Sequence, residues 1–182
     1  MIAQAGEVDA YISHSWHDAI DEKWAALQSW RERFKRQYDR EPRVWLDKCC
    51  IGEYDTDISL MCLPIHLASC KTLLVLAGET YTTRMWCVME IFVFLAAVDD
   101  VSRLEIIVLG DDPKTIKHAF QKLAVTTCEC RNSDTRDKLL SIIEVGCGCP
   151  EDFDALIRDA PLFTEEDSLL GHSTLSLKKL EA

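Results

Sequence analysis

One carboxylate stands alone in a strongly apolar stretch of the chain. Residues 84–98 read RMWCVMEIFVFLAAV, and Glu90 is the single ionisable group among the fourteen residues after Arg84. In a helix, its neighbours three and four positions away are all apolar: Trp86, Cys87, Val93 and Phe94. Such a carboxylate is partly desolvated and acts strongly on a bound ligand, which suits the oxocarbenium-like centre of ribosyl chemistry. The alternative is a structural ion pair with Arg84, Lys48 or another base.

Strands and helices that would position Glu90 alternate along the sequence. Hydrophobic periodicity predicts strands at residues 10–13, 43–47, 71–78 and 104–110, and a weak fifth strand at 125–128. It predicts helices at residues 18–38, 58–69, 114–123, 134–144 and 152–159, and one more that carries Glu90. The pattern indicates parallel βαβ units in residues 1–160, as a doubly wound sheet with helices on both faces. Residues 161–182 are polar and are expected to be a tail or linker.

Three loops are expected to meet at one edge of this sheet. Residues 13–18, 47–57 and 79–83 each follow a predicted strand. Ligands of open α/β sheets bind beyond the carboxyl ends of the strands, near the point where the strand order reverses. Glu90 lies about two turns into the helix after the third loop, so it can face the same crevice.

Composition narrows the class of protein. The chain has 182 residues, a net charge of −11 and a pI near 4.9, which disfavours binding to nucleic acid or to anionic membranes. Its longest apolar run, residues 91–98, is too short to cross a bilayer. The beginning of the chain lacks the pattern of a secretion signal. We therefore expect a soluble, cytoplasmic protein.

Nine cysteines raise the question of a metal site. The odd number and the expected reducing compartment favour free thiols over disulfides. The sequences CEC at 128–130 and CGC at 147–149 supply four thiolates, but neither pair has the C-x-x-C spacing of most zinc sites. We expect no metal, although these four cysteines leave the question open.

Side chains of the predicted loops suggest two other chemistries. Ser13, Ser15, His14 and His17 suggest a Ser–His pair, but polar loops of this kind more often serve as caps. Asp47 ends a predicted strand, as a phospho-acceptor would, but the acidic pair that holds magnesium is poorly formed. Pairing of Asp47 with Lys48 is the simpler interpretation.

Three segments resemble Toll/interleukin-receptor (TIR) domains and keep the spacing of that family. DAYISHS at residues 9–15 is similar to the first strand, and VWLDKCCIGEYDTDIS at 44–59 to the second strand and its following BB loop. LASCKTLLVLAGETYTTRMWCVMEIFVF at 67–94 resembles the segment in which TIR domains read S-x-x-Y-x-x-S-x-W-C-x-x-E. The resemblance covers residues 7–125 and is nearest to plant and microbial NAD⁺-cleaving TIR domains and to TIR-like proteins of single-celled eukaryotes.

This resemblance implies a flavodoxin-like, three-layer α/β/α fold with a parallel five-stranded sheet in the order 2-1-3-4-5. It also implies an NAD⁺ glycohydrolase, a hydrolase that releases nicotinamide and leaves ADP-ribose or a cyclic form, in signalling or immunity-like responses. Glu90 occupies the catalytic position of the motif. No metal or other cofactor is implied, since NAD⁺ is the substrate. The residues that would line the substrate pocket are Ser13, His14, Ser15, Trp16, Asp47 and Lys48, and Trp86 would either pack the helix or contact substrate.

Two further functions remain open beside the glycohydrolase. A TIR domain can instead be a non-enzymatic module that works by homotypic association, and Glu90 would then be structural. A nucleoside deoxyribosyltransferase-like enzyme shares the sheet architecture and a catalytic glutamate, although the WCVMEI segment fits it poorly. The chain also departs from the TIR motif, because Met85, preceded by Arg84, stands where Ser or Thr is frequent before W-C. Catalytic TIR domains generally require self-association, so the resemblance implies other TIR domains as partners.

Overall fold

A four-stranded parallel sheet forms the centre of the molecule. The computed structural model describes residues 7–46, 56–98, 100–160 and 162–163, and only the backbone for 56–60. The strands are β1 (Val8–His14), β2 (Val44–Leu46), β3 (Cys70–Ala77) and β4 (Leu104–Val108). The helices are α1 (Ile20–Tyr38), α2 (Thr56–Ser69), α3 (Met85–Ala97), α4 (Pro113–Gln121), α5 (Ser133–Cys147) and α6 (Pro150–Asp159).

The strand order is β2-β1-β3-β4, and every neighbouring pair is parallel. This confirms the first four strands of the predicted order. In the central pair, Ser13 of β1 lies opposite Val75 of β3. The sheet therefore reverses its order between β1 and β3, and the loops that follow these two strands lie side by side.

Alternation along the strands divides the core between two faces. Ala10, Ile12, Leu74 and Leu76 pack on one face with Trp30 of α1. The neighbouring strand positions turn to the other face, where they pack with side chains of α2 to α6; they are Tyr11, Leu73, Val75 and Ala77. The fold thus has helices on both faces, as the sequence predicts.

The predicted fifth strand is wrong. Residues Val125–Thr127 form a 3-10 turn, in which the Cys128 amide donates to the Val125 carbonyl. The Val125 amide donates to the buried Asp154 carboxylate at 2.8 Å. Backbone groups used in this way are unavailable for a sheet ladder. Directly after this segment, an isolated parallel bridge pairs Glu129 with Arg84, and it does not extend the sheet.

An ion-pair cluster around the buried Asp9 carboxylate ties the amino ends of the strands together, and its basic partners, Arg40 and Lys71, are exposed. The Asp9 carboxylate accepts two hydrogen bonds from Arg40, at 2.6 and 2.7 Å, and one from Lys71 at 3.0 Å. It also accepts from the Arg43 amide at 2.9 Å. These donors, Arg40 first, hold the pKa of Asp9 well below its usual range, although burial of the carboxylate opposes them. The cluster joins β1 to the segment before β2 and to β3.

Two predicted features fall partly outside the structure. Only residues 162 and 163 of the predicted tail are described. Most of the predicted BB loop, residues 47–55, is outside the described part of the chain. Among the described helices, each one is too short or too polar to cross a membrane.

Candidate active site

Glu90 lies in the second turn of α3 with its carboxylate against the central strand β1. Only 8% of its surface is exposed. The Tyr11 hydroxyl donates to one carboxylate oxygen, Oε1, at 2.8 Å. The Ser13 hydroxyl donates to the other, Oε2, at 2.5 Å. Tyr11 and Ser13 share one face of β1 because they are two residues apart in a strand, so β1 presents both hydroxyls to α3.

A second tyrosine extends this group of buried oxygens. The Tyr81 hydroxyl lies 2.6 Å from the Ser13 hydroxyl and 3.1 Å from the Cys87 carbonyl, and its one hydrogen can be donated to either. Tyr81 belongs to the turn before α3, and its ring stacks on Phe120 at a centroid distance of 5.9 Å. Burial, with smaller contributions from the nearby Cys87 and Glu90, raises the pKa of Tyr81 well above its usual value, so this hydroxyl keeps its proton.

The loops after β1 and β3 are fastened to each other by side chains. The Asp18 carboxylate accepts from the Thr80 amide at 2.9 Å and from the Thr80 hydroxyl at 2.7 Å. The Ser15 hydroxyl lies 2.7 Å from the same Thr80 hydroxyl. Asp18 is therefore a loop residue, and α1 begins at Ile20 rather than at the predicted residue 18. The predicted convergence of these two loops agrees with these contacts.

The predicted pocket residues have different surroundings. Ser13 is fully buried and contacts Glu90, whereas Ser15 is buried against Thr80. His14 is half-buried at the end of β1, and Trp16 is exposed. Trp86 is partly buried and packs against the main core. Asp47 and Lys48 lie outside the described residues.

Arg84 does not supply the ion pair that the structural alternative offers to Glu90. Its guanidinium pairs instead with Glu129, at 2.9 Å. The Glu90 carboxylate accepts hydrogen bonds from two neutral hydroxyls, those of Tyr11 and Ser13.

A cavity of about 330 Å³ opens at the carboxyl edge of the sheet, between the loops after β1, β3 and β4. Glu90 is not among its lining residues. Five carboxylates line it: Asp18, Glu22, Glu79, Asp111 and Asp112. No Lys or Arg of the described ranges takes part in the lining. This concentration of negative charge disfavours the pyrophosphate of a dinucleotide, so the cavity is a poor match for NAD⁺.

Tyr11 and Tyr81 are residues of this site that are not among the predicted site residues. A signal exists for both. Tyr11 stands two positions before Ser13 in a predicted strand, and therefore on the same face. Tyr81 occupies the tyrosine position of the motif that ends at Glu90. Neither signal reveals that the two hydroxyls meet around one carboxylate.

The cysteines of the described ranges are free thiols. Cys128 is buried, and its thiol donates to the Thr82 carbonyl at 3.3 Å. Burial raises the pKa of Cys128 to about 12, which disfavours the thiolate that zinc requires. Within the described part of the chain, no group of three or more His, Cys, Asp or Glu side chains is arranged to hold a metal ion.

Comparison with protein-family models and with curated proteins finds no match. Among solved structures, the chain is similar to the TIR domains of the activated Roq1 resistosome, which directly recognizes the pathogen effector XopQ. The two chains share 11% identity, and the likeness covers 84% of this chain and 82% of the other with a TM-score of 0.48. A likeness of this degree does not assign the chain to a family.

Proposed function

We propose that this protein is a TIR-type NAD⁺ glycohydrolase of the cytoplasm, with Glu90 as its catalytic carboxylate. The observation that carries the proposal is the placement of Glu90: a buried carboxylate, held from two sides by the hydroxyls of Tyr11 and Ser13. The W-C-x-x-E resemblance supports the same assignment. A carboxylate fixed in a low-dielectric site acts strongly on a developing positive charge.

The proposed reaction is cleavage of the nicotinamide–ribose bond. The bond's electron pair leaves with nicotinamide, which becomes neutral, and positive charge develops on the ribose. Glu90 stabilises that charge, as carboxylates do in glycoside hydrolysis. A water molecule then attacks the anomeric carbon and gives up a proton to yield ADP-ribose, whereas attack by a group of the substrate itself yields a cyclic product.

The proposal also includes the substrate pocket and the active assembly. Ser13, His14, Ser15 and Trp16 would border the substrate on the β1 side, Trp86 on the α3 side, and Asp47 and Lys48 on the BB loop. No metal ion takes part, and homotypic association with other copies completes the site.

The second candidate function is an interaction module without activity, and one observation favours it. The two hydroxyls that hold Glu90 also connect α3 to β1, so the carboxylate has a structural use in the core. In that case association with other TIR domains would be the whole function.

Chromatography of NAD⁺ incubated with concentrated protein tests the proposal. We expect nicotinamide release by the parent and at least a hundredfold loss, roughly 3 kcal/mol of transition-state stabilisation, in Glu90→Gln. Glutamine keeps the size of the side chain and can bond both hydroxyls, so this variant should remain folded. Glu129→Gln is the matched control, because Glu129 is an exposed glutamate that pairs with Arg84, the residue just before α3.

The outcomes separate the two candidate functions. Loss of release in Glu90→Gln, with Glu129→Gln unchanged, supports the glycohydrolase. A parent that associates but releases no nicotinamide supports the interaction module. Glu90→Ala is also informative, because it leaves two buried hydroxyls without their acceptor, at a cost of about 2 kcal/mol in the free energy of unfolding.

A further inference from the structure

We infer that Ser13 and Tyr81 form a reversible hydrogen-bond relay that lets Glu90 gain and lose a proton without movement of its heavy atoms. The inference rests on the proposed function for its purpose and on the described contacts for its geometry. Tyr81 is a positioning residue in this view, because it acts through Glu90. Ser13 acts through Glu90 in the same way, in addition to its proposed place at the border of the substrate pocket.

The relay is a chain of four oxygens. It runs from Oε2 of Glu90 to the Ser13 hydroxyl at 2.5 Å, then to the Tyr81 hydroxyl at 2.6 Å, and ends at the Cys87 carbonyl at 3.1 Å. Ser13 and Tyr81 are entirely buried, so bulk water does not substitute for any of these partners. The terminal carbonyl belongs to the first turn of α3, the helix that carries Glu90.

The number of hydrogens decides the direction of this chain. Three contacts join the four oxygens, and Ser13 and Tyr81 together supply two hydrogens. When Glu90 is ionised, Tyr81 donates to Ser13 and Ser13 donates to Glu90, so the long contact to the Cys87 carbonyl has no hydrogen. When Glu90 is protonated, it donates to Ser13, Ser13 donates to Tyr81, and Tyr81 donates to the Cys87 carbonyl.

In both directions of the chain, a hydrogen lies between Glu90 and Ser13 and another lies between Ser13 and Tyr81, which are the two short contacts. The change from one direction to the other requires only that the two hydroxyls rotate about their C–O bonds. No proton leaves Ser13 or Tyr81, because the proton that Glu90 gains stays on Oε2. The raised pKa of Tyr81 agrees with this, since its hydroxyl retains its hydrogen throughout.

The hydrogen bond from Tyr11 to Glu90 is the same in both protonation states of Glu90. The Tyr11 hydroxyl donates to Oε1, the oxygen outside the relay, and this bond is available in both states of Glu90. In the proposed reaction, the attacking water must release a proton. A carboxylate that accepts that proton without losing a hydrogen bond suits this step.

Tyr81→Phe tests the relay and keeps the ring that stacks on Phe120. Without the Tyr81 hydroxyl, the hydrogen of Ser13 has no acceptor when Glu90 is protonated. We expect kcat for nicotinamide release to fall about tenfold, the factor that one buried hydrogen bond supplies, with KM unchanged within about twofold. Ser13→Ala should lose at least as much, and Ser13→Thr should restore most of the loss because it returns the hydroxyl.

Phe120→Leu is the matched control for packing. It changes the ring against Tyr81 but leaves every oxygen of the relay in place, so its melting temperature should fall while kcat stays near that of the parent. Equal kcat in the parent and Tyr81→Phe would overturn the relay, as would failure of Ser13→Thr to restore activity that Ser13→Ala loses.

An infrared measurement keeps the relay separate from the proposed activity. The band of the Glu90 carboxyl group is assigned from the difference between the parent and Glu90→Gln. We expect Tyr81→Phe to shift this band, because the hydrogen bond from Ser13 to Glu90 is no longer reinforced by Tyr81. If the parent releases no nicotinamide, the proposed glycohydrolase activity is refuted. The infrared measurement then tests the relay by itself. An unshifted band in Tyr81→Phe would overturn it.

Discussion

Three carboxylates of the described chain differ in what surrounds them. Asp9 is held by two cationic side chains and an amide, which lower its pKa. Glu105 is largely buried, and burial raises its pKa, although Trp30 and Arg33 partly offset the shift. Glu90 faces the neutral hydroxyls of Tyr11 and Ser13. Charged donors stabilise an ion, whereas neutral hydroxyls can serve either state of a carboxyl group.

The Asp9 cluster predicts how stability depends on pH. The pKa of Asp9 is lower in the folded chain than the usual value near 3.9, so the folded state holds the proton less tightly than the unfolded state does. Its contribution to stability is therefore present above about pH 4 and is lost as the pH falls toward the lower, folded pKa. We expect Asp9→Asn to lower the free energy of unfolding at pH 7 by about 2 kcal/mol.

Urea denaturation of the parent and Asp9→Asn at several pH values measures this effect. The difference between the two proteins should shrink as the pH falls below about 4, because the parent then loses the same charge. Glu105→Gln is the contrasting variant, because the pKa of Glu105 is shifted upward. At neutral pH, removal of its charge should therefore lower the free energy of unfolding by less than Asp9→Asn does. A difference between parent and Asp9→Asn that is the same at every pH would contradict the electrostatic explanation.

At the scale of elements, the site depends on how closely two loops approach. Asp18, in the loop after β1, lies directly against Gly78 at the end of β3. A Cβ added to Gly78 would lie 2.4 Å from the Asp18 Cγ atom and under 3 Å from both carboxylate oxygens. Glycine at this position therefore allows the contact between Asp18 and Thr80.

Gly78→Ala should consequently destabilise the fold, because Asp18 must leave Thr80 to make room for the methyl group. We expect a loss of about 2 kcal/mol in the free energy of unfolding, in the range for overpacking of a tight contact. Gly146→Ala is the matched control: its added Cβ would meet Phe92 at an ordinary 3.5 Å, and alanine favours the helix. Thermal denaturation of both variants compares them, and equal melting temperatures would show that the loop contact carries no stability.

The sequence predicts more of the elements than of their contacts. Periodicity locates the four strands, and their parallel order agrees with the structure. It fails at residues 125–128, because it cannot show that the Val125 amide bonds a carboxylate 29 residues away. It selects Glu90 from its apolar neighbours and Ser13 from the predicted loop, but the Tyr81 hydroxyl reaches Ser13 only through tertiary packing.

At the scale of the whole molecule, the net charge of −11 opposes the self-association that the proposed function requires. Copies of this chain repel each other at low ionic strength, and salt screens this repulsion over a Debye length of about 8 Å at physiological concentration. An assembly of such copies must therefore form through short-range contacts that exceed the residual repulsion. Protein concentration and salt therefore change the extent of self-association without changing the residues around Glu90.

This balance predicts that the specific activity for nicotinamide release rises with protein concentration and, at a fixed subsaturating concentration, with added sodium chloride. Sedimentation velocity under the same conditions should show larger species as activity increases, because both report the same association. Parallel assays at saturating protein supply the control, since salt should have little effect there once association is complete. If specific activity is independent of concentration while the protein sediments as a monomer, the active site is complete in one chain. If larger species form without activity, association serves the interaction module instead.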